Sequence, residues 1–245
     1  MTFWENPPGV RLFKSVFSQK DICSFEDEVN KLEAETDRQD YLWKYYESDL
    51  NRLNRIEYFV KFSSVFMQLA KDTRLTDIAS SLLGGPVSLM KDKINFKYPL
   101  SEGFAPHQDM SAGWGKYASQ HITLAMPLCT TTMDNGCIMF ADKQHDLIGN
   151  LFEDLNKDDF DFHGMNTDIG DVIAFDSLIP HMSETNNSSL RRVVLFFTYI
   201  HSHNGDQYTK YHNDKFKAVP PDISKIPGES YRSGNSNTKK LFNGT

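Results

Sequence analysis

The sequence lacks the features that place a chain in a membrane or on nucleic acid. No apolar run in it is long enough to span a bilayer. Residues 1–7 have neither the basic nor the apolar segment of a secretory signal peptide. Asp and Glu outnumber Lys and Arg by 33 to 26, which argues against nucleic acid because phosphate binding requires a basic surface. We therefore expect a cytoplasmic protein with a small-molecule partner and neither a nucleic-acid nor a membrane partner; the sequence leaves the oligomeric state open.

Cysteine is also scarce. The chain has three cysteines, Cys23, Cys129 and Cys137, and no metal-binding or redox spacing joins them. An odd number of cysteines without such a motif indicates free thiols in a reducing compartment. A disulfide between Cys129 and Cys137, which could flank a hairpin turn, is the alternative.

The rest of the composition is typical of a soluble globular protein, with 39% apolar and 24% charged residues. We predict one domain over 1–245. Residues 1–85 provide mainly helical support, residues 86–203 form the core, and residues 204–245 form a loosely packed tail rich in Lys, Asn, Ser, Gly and Pro.

Apolar spacing predicts helices in the first third of the chain. Ser18 and Asp21 resemble a capping box, and apolar residues follow at helical spacing from Ile22. Two more helices are predicted over 59–71 and 74–83. Residues 36–58 show no clean period, so we predict a long loop or broken helix there. Such a segment is either a lid over a binding site or a surface excursion.

After Pro86, short apolar runs separated by turn residues replace the helical spacing. The candidate strands are 87–90, 93–98, 121–128, 136–140, 172–175 and 191–200. Helices followed by many short strands indicate an α+β chain whose C-terminal part is a β-sandwich or barrel. One such fold is the double-stranded β-helix, or cupin-type jelly roll, here buttressed by the N-terminal helices.

Three residues have the chemistry of a metal site. His107 and Asp109 are two apart, so on an extended segment both side chains leave the same face. His181 lies far downstream, and distant segments of a sandwich can meet at one end. Two imidazoles and a carboxylate suit Fe(II) with open coordination positions, although Mn(II), Co(II) and Zn(II) accept the same ligands.

Basic residues follow this set. Arg192 lies eleven residues after His181 and begins an apolar strand, where an unpaired guanidinium is costly to bury. A guanidinium matches a carboxylate, such as the distal carboxylate of 2-oxoglutarate, with two parallel hydrogen bonds. Ser183 faces the same way as His181 on an extended segment. Arg191 competes for the role, since strand alternation places one of the pair inside.

At this point the sequence resembles the phytanoyl-CoA dioxygenase family of Fe(II)/2-oxoglutarate oxygenases. The pieces that carry the resemblance are 93–99, 104–109, 134–137, 170–172, 175–183, Asn186 and Arg192. Their order and spacing agree with the family, and they cover about half of the chain closely.

The resemblance implies roles for individual residues. His107, Asp109 and His181 would bind Fe(II), while Arg192 and Ser183 would hold 2-oxoglutarate. Asn95 and Thr123 would line the pocket of this co-substrate, which reacts together with O2. Because Asp109 stands where halogenating relatives have a small residue, hydroxylation of an unactivated C–H bond is expected rather than halogenation.

The sequence indicates the substrate less specifically than it indicates the metal and co-substrate residues. The pieces 93–97, 104–109, 211–215 and 219–222 resemble the branch that acts on 2-aminoethylphosphonate and its N-methylated relatives. A phosphonate requires cationic contacts, and an ammonium end favours aromatic ones. The candidate substrate residues are Lys93, Lys97, Arg55, Tyr98 and Trp114.

Two other classes of function compete with the hydroxylase. A metal-binding cupin-like protein without oxygenase chemistry would not require Arg192. A non-catalytic interaction protein would not require the metal ligands. Within the hydroxylase class, amino-acid-like or natural-product substrates are alternatives to the phosphonate.

Overall fold

The computed structural model describes residues 8–37, 41–47, 52–142, 146, 155–229 and 231. Strands in these ranges are β1 (Val10–Phe13), β2 (Trp43–Tyr46), β3 (Leu53–Glu57), β4 (Val87–Lys97), β5 (Phe104–His107), β6 (Ile122–Pro127), β7 (Met139–Ala141), β8 (Phe162–Gly164), β9 (Val172–Asp176), β10 (His181–Ser183) and β11 (Arg192–His201). The helices are α1 (Gln19–Ala34), α2 (Ser64–Leu69), α3 (Thr73–Leu83) and α4 (Tyr208–Ala218). Short 3₁₀ helices cover Asp109–Ala112, Trp114–Lys116, Lys157–Asp159, Ser202–Asn204 and Asp222–Ser224.

The strands form two antiparallel sheets that enclose one core. The large sheet has the order β1-β9-β6-β11-β4-β3-β2, and the small sheet has the order β5-β10-β7-β8. Apolar side chains of both sheets, including Phe140, Phe175 and Phe196, pack together between them. The arrangement is the predicted jelly roll, with sequence-distant strands adjacent in each sheet.

The large sheet is buried on both faces, and β11 shows why its sequence is continuously apolar. Val194 and Phe196 face the small sheet. Val193, Leu195 and Phe197 face the opposite way and pack in the core that holds α1, α2 and α3. Successive residues of a strand point to opposite faces, so helices on one side and a sheet on the other require apolar residues throughout.

The helices begin and end at the residues that cap them. Ser18 and Asp21 form the predicted capping box, with each side chain accepting from the other residue's backbone N–H. The helix predicted over 59–71 is shorter in the structure. The buried Asp92 carboxylate accepts hydrogen bonds from the N–H groups of Tyr58 and Val60, and α2 begins only after its N-cap Ser63.

The prediction of a loop or broken helix over 36–58 is wrong for the described residues, because β2 and β3 extend the large sheet. Arg55 is the partner of Asn95 and Glu57 is the partner of Lys93 on β4. These polar residues interrupt the apolar alternation on which the prediction relied. The remaining residues of that segment, 38–40 and 48–51, lie outside the described part.

The prediction of a loosely packed tail over 204–245 is wrong for the residues around α4, while residues 230 and 232–245 lie outside the described part. Helix α4 packs against β4, and its residues Tyr211 and His212 are buried. Asp222 accepts a hydrogen bond from the Tyr46 N–H at 2.6 Å, which ties the segment after α4 to the edge strand.

Cys23, Cys129 and Cys137 are free, as expected from their number, so the alternative disulfide is absent. None of the described helices is both long and apolar enough to cross a membrane.

Candidate active site

Three candidate metal ligands meet at one edge of the small sheet. His107 ends β5 and His181 begins β10, and the two are paired across the antiparallel strands. Asp109 opens a 3₁₀ helix two residues after His107, so it does not continue the strand as expected. One ligand atom of each residue nevertheless lies within 4.8 Å of the other two. The structure therefore brings together the set that the sequence singled out.

Backbone hydrogen bonds orient both imidazoles. His107 Nδ1 lies 2.7 Å from the Ala105 carbonyl oxygen, and His181 Nδ1 lies 3.0 Å from the Ile179 carbonyl oxygen. A carbonyl can only accept, so each Nδ1 carries the proton. Each Nε2 then keeps its lone pair, which is the arrangement that metal-binding histidines use.

The electrostatics favour the ligand form of all three groups. Burial and the neighbouring His181 lower the pKa of His107 to about 4, and burial also lowers the pKa of His181. Burial opposes ionisation of Asp109, but His181, Lys91 and Lys93 outweigh it and lower the pKa of this carboxyl to about 2. Neutral imidazoles and an ionised carboxylate are what a divalent cation requires.

A second group of polar residues lies around Arg192. Its guanidinium is buried, and Nε and Nη1 have no hydrogen-bond partner among the described residues. Lys97 is the cross-strand partner of Arg192 and donates a 2.8 Å hydrogen bond to Ser183 Oγ. Burial lowers the pKa of Arg192 to about 10, and burial together with Arg192 lowers the pKa of Lys97 to about 6. A buried guanidinium beside a buried lysine, neither paired with a carboxylate among the described residues, suits an anionic ligand.

Strand alternation separates Arg192 from its competitor. Arg191 points to the helical side, where it contacts Glu33 and Asn30 of α1. The competing arginine is therefore already paired, and Arg192 is the one that faces the inside of the jelly roll.

A narrow cavity adjoins the candidate metal ligands. It is lined by Lys91, Lys93, Asp109, Thr123, Phe175, His181, Phe196 and Thr198. Thr123 lies on its wall with its hydroxyl 2.9 Å from that of Thr198. Asn95 is buried nearby on β4, and its Oδ1 has no hydrogen-bond partner among the described residues.

Lys93, Arg55 and Trp114, three of the five candidate substrate residues, lie on this side of the sheet. Lys93 lines the cavity directly. Arg55 stacks on Tyr45, with 4.2 Å from the guanidinium carbon to the ring centroid, and its Nε lies 3.1 Å from Glu57. Trp114 is buried, and Lys91 Nζ lies 4.6 Å from the centroid of its ring.

The other two candidates are elsewhere. Tyr98 stacks on Phe96 at the helical face and donates a hydrogen bond to Glu33 of α1, so it does not reach the cavity. Lys97 contacts Ser183 next to Arg192 instead of lining the cavity with Lys93. Neither side chain lines the cavity, and the assignment of Lys97 to the substrate stays a prediction.

Sequence reasoning missed three charged residues of this region, Lys91, Glu57 and Lys215. Lys91 stands two before Lys93 on the same strand face, and that spacing could have found it. Glu57 belongs to a strand that was not predicted, and Lys215 to a helix that was predicted as tail.

Comparison with known proteins identifies the family. Residues 7–194 match the phytanoyl-CoA dioxygenase (PhyH) family. The chain belongs to the phytanoyl-CoA dioxygenase family. It is 30% identical over 204 residues to a 2-aminoethylphosphonate dioxygenase from the uncultured bacterium HF130_AEPn_1, covering 79% of this chain and 78% of the relative. It is 29% identical over 221 residues to a methylphosphonate hydroxylase from Gimesia maris, covering 86% and 84%.

Solved structures agree on the fold. EctD from S. alaskensis, crystallised with 2-oxoglutarate and 5-hydroxyectoine, has a TM-score of 0.70 and 22% identity, covering 80% of this chain and 73% of its own. The α-ketoglutarate-dependent epimerase SnoN has a TM-score of 0.67 and 17% identity, covering 79% of each chain. At this identity the likeness supports the jelly-roll architecture alone.

The chain is an Fe(II)- and 2-oxoglutarate-dependent dioxygenase, as its family and its dioxygenase-named relatives establish. The described residues fit both groups. The His107, Asp109 and His181 ligand atoms converge with free Nε2 lone pairs. The unpartnered guanidinium atoms of Arg192 fit a carboxylate.

Proposed function

We propose that this dioxygenase hydroxylates a C–H bond of a small alkylphosphonate. The observation that carries the proposal is the pair Lys91 and Lys93 on the wall of the cavity that also contains Asp109 and His181. Neither lysine has an ion pair with a carboxylate within 4.0 Å among the described residues. Two largely buried ammonium groups beside the reaction centre suit a substrate whose head group is an anion.

The roles of the iron and co-substrate residues are part of the proposal. His107, Asp109 and His181 hold Fe(II) on one face and leave its other positions open. Arg192 binds the distal carboxylate of 2-oxoglutarate, with Ser183 and Lys97 beside it. Asn95 and Thr123 line the space between that carboxylate and the metal ligands. The convergent ligand atoms and the unpaired guanidinium support these assignments.

Iron and 2-oxoglutarate supply the oxidation, in which O2, the substrate C–H group and 2-oxoglutarate become the alcohol, succinate and CO2. The protein positions the carbon to be oxidised and keeps water out. Phe175 and Phe196 form the apolar side of the cavity, and Lys93 forms its cationic side. A short phosphonate held by Lys93 would place the carbon bonded to phosphorus toward the metal ligands.

The aromatic residues favour a phosphonate head over an ammonium head. The Trp114 ring already faces Lys91 at 4.6 Å, and the Tyr45 ring already faces Arg55 at 4.2 Å. A quaternary or primary amine would compete with these cations for the ring faces. We therefore propose that recognition is of the phosphonate, as the names of the two relatives suggest.

The test measures succinate formation by anaerobically purified protein supplied with Fe(II), 2-oxoglutarate and air. The panel contains methylphosphonate, 2-aminoethylphosphonate, quaternary amines and amino acids. We expect phosphonates to stimulate succinate formation and to yield a hydroxylated product. Asp109→Ala should abolish the activity with its fold retained, whereas Asp77→Ala, at an exposed position of α3, should leave it unchanged.

Stimulation of succinate formation by amino acids or amines, without stimulation by phosphonates, would overturn the proposal that the substrate is a phosphonate. Full activity of Asp109→Ala would overturn the assigned metal ligands.

A further inference from the structure

Helix α4 lies outside the segment that matches the family, which ends at residue 194. It packs on β4 beyond Glu57 and Lys93, where the pairing of β3 with β4 ends. The buried carboxylate of Asp92 fixes it there: the Tyr208 hydroxyl donates to Asp92 at 3.2 Å, and His212 Nε2 lies 3.1 Å from the same group. The helix is thus held in a defined position against the sheet.

The same helix presents Tyr211 and Lys215 toward the cations of β4. These residues are four apart and therefore share a helix face. Lys91 Nζ and Lys215 Nζ each lie 6.0 Å from the centroid of the Tyr211 ring. Helix α4 therefore places a further lysine beside the same aromatic ring as Lys91, on the side of the sheet that carries the cavity.

Glu57 holds Lys215 in this position. The Lys215 ammonium forms an ion pair with Glu57, whose other oxygen lies 3.1 Å from Arg55 Nε. Glu57 is 1% exposed and the Lys215 side chain 14% exposed, so the pair is largely removed from water.

The charges of this cluster do not balance. Among the described residues it contains four cations, Arg55, Lys91, Lys93 and Lys215, and Glu57 is the one carboxylate that forms ion pairs with any of them. Burial, with a smaller contribution from the neighbouring cations, lowers the pKa of Lys215 and that of Lys93 to about 7 each. A ligand that carries two negative charges would offset most of this excess.

We propose that Lys215 is a specificity-determining residue that, together with Lys91, binds the oxyanion group of the substrate at the α4 side of the pocket. The proposal rests on the proposed function and names the residues that select the phosphonate. Lys93 lines the cavity with Asp109 and is the cross-strand partner of Glu57, so it connects the metal end of the pocket to the α4 end. The reacting carbon then lies toward Asp109 and the phosphonate oxygens lie toward α4.

The experiment measures methylphosphonate binding by calorimetry under anaerobic conditions, using protein loaded with Ni(II) and 2-oxoglutarate. Lys215→Met should weaken binding by about tenfold or more, since it removes a charge-assisted contact. Lys215→Arg should retain most of the affinity. Lys217→Met, on the exposed part of the same helix, should bind like the wild type. All four proteins should bind 2-oxoglutarate equally.

The Glu57→Gln variant tests whether Lys215 binds the substrate or only forms a structural ion pair with Glu57. If Lys215 only supports the fold, breaking the pair from either side should have the same effect. If Lys215 binds the substrate, Glu57→Gln should leave phosphonate binding equal or tighter, because it removes the competing carboxylate. The double variant Glu57→Gln/Lys215→Met, a neutral pair, should be folded and should bind as weakly as Lys215→Met.

The experiment distinguishes a failure of this inference from a failure of the proposed function. Wild-type affinity in Lys215→Met would overturn this inference and leave the proposed function intact. Absence of phosphonate binding by the wild type, with 2-oxoglutarate still bound, would overturn the substrate of the proposed function and this inference with it. Methylphosphate and acetate serve as further probes: equal binding of acetate would show that a dianion is not selected.

Discussion

Arg191 and Arg192 are adjacent in sequence and have opposite surroundings. Arg191 is paired with Glu33 at the helical face, and Arg192 is buried inside the jelly roll with unpaired nitrogen atoms. A buried guanidinium without a partner among the described residues is expensive, and the proposed 2-oxoglutarate carboxylate would complete it. Under this proposal the same chemistry has a structural use at one position and a binding use at the next.

Exchanging each arginine for methionine tests this difference. Arg192→Met should weaken 2-oxoglutarate binding on the order of 100-fold, because a bidentate charged contact is lost. Arg191→Met should leave the affinity within about twofold, since a partly exposed ion pair contributes little. Titration of 2-oxoglutarate into the Ni(II)-loaded protein measures both. Comparable losses in the two variants would contradict the assignment of Arg192.

The turn before β9, which contains residues 170–172 of the resemblance, has a structural role. Gly170 has a φ of 89°, and a Cβ there would lie 2.1 Å from the Phe17 carbonyl oxygen. The next residue, Asp171, accepts hydrogen bonds from the N–H groups of Ser15 and Asp168 and pairs with Lys14 at 2.8 Å. This motif therefore joins the end of β1 to the start of β9 and lies away from the metal ligands.

Asp171→Asn should lower the free energy of unfolding by about 1–3 kcal/mol at neutral pH, because a buried charged acceptor loses its charge. Burial opposes ionisation of Asp171, but Lys14 and the N–H groups of Ser15 and Asp168 lower its pKa overall. The ionised group therefore contributes stability above the unfolded pKa of about 3.9, and this contribution is lost as the pH falls through the lower folded pKa.

The difference between wild type and Asp171→Asn should therefore shrink as the pH falls below about 4, as measured by urea unfolding at several pH values. Asp168→Asn is the matched control, because Asp168 is exposed and its carboxylate lies farther from Lys14, at 3.4 Å, than that of Asp171. It should change stability by less than about 0.5 kcal/mol. A pH-independent difference for Asp171→Asn would contradict the role of its charge.

The two sheets, the helical layer and the site are parts of one architecture. The candidate metal ligands come from the small sheet and the turn after it, whereas Arg192, Lys97, Asn95 and Thr123 come from the large sheet. With the proposed assignments, metal and co-substrate would therefore bridge the two sheets. Ligands that bind only the folded state raise its stability in proportion to their occupancy.

Thermal unfolding should show this linkage. Ni(II) and 2-oxoglutarate, each at about 100 times its dissociation constant, should each add about 2.7 kcal/mol of stability. Together these correspond to an increase in Tm of about 10–20 °C for a chain of this size. Scanning calorimetry measures the shift. His181→Ala should unfold normally without ligands and should lose the metal-dependent part of the increase; an undiminished increase would contradict the metal site.

Local patterns in the sequence were sufficient to predict several helices and strands. The Ser18 capping box, the helix stop at Gly84 and the apolar run of β11 each depend on residues close in sequence, and all three appear where predicted. The short strands β2 and β3 at one end of the large sheet and helix α4 were missed, because their polar residues are buried by partners distant in sequence. Arg55, Glu57 and Lys215 are examples: each is paired or stacked within one cluster assembled from β2, β3 and α4.

The sequence by itself determined the candidate metal ligands, with Asp109 as the carboxylate among them, since residue type and spacing define that chemistry. It also determined the alternation that leaves one of Arg191 and Arg192 inside. Only the tertiary structure decided which arginine that is, and that Lys97 joins Ser183 while Tyr98 faces α1. It alone revealed the cation cluster with Lys215. The reason is physical: a charge acquires its role from its partners, and Lys215 and its partner Glu57, for example, are 158 residues apart.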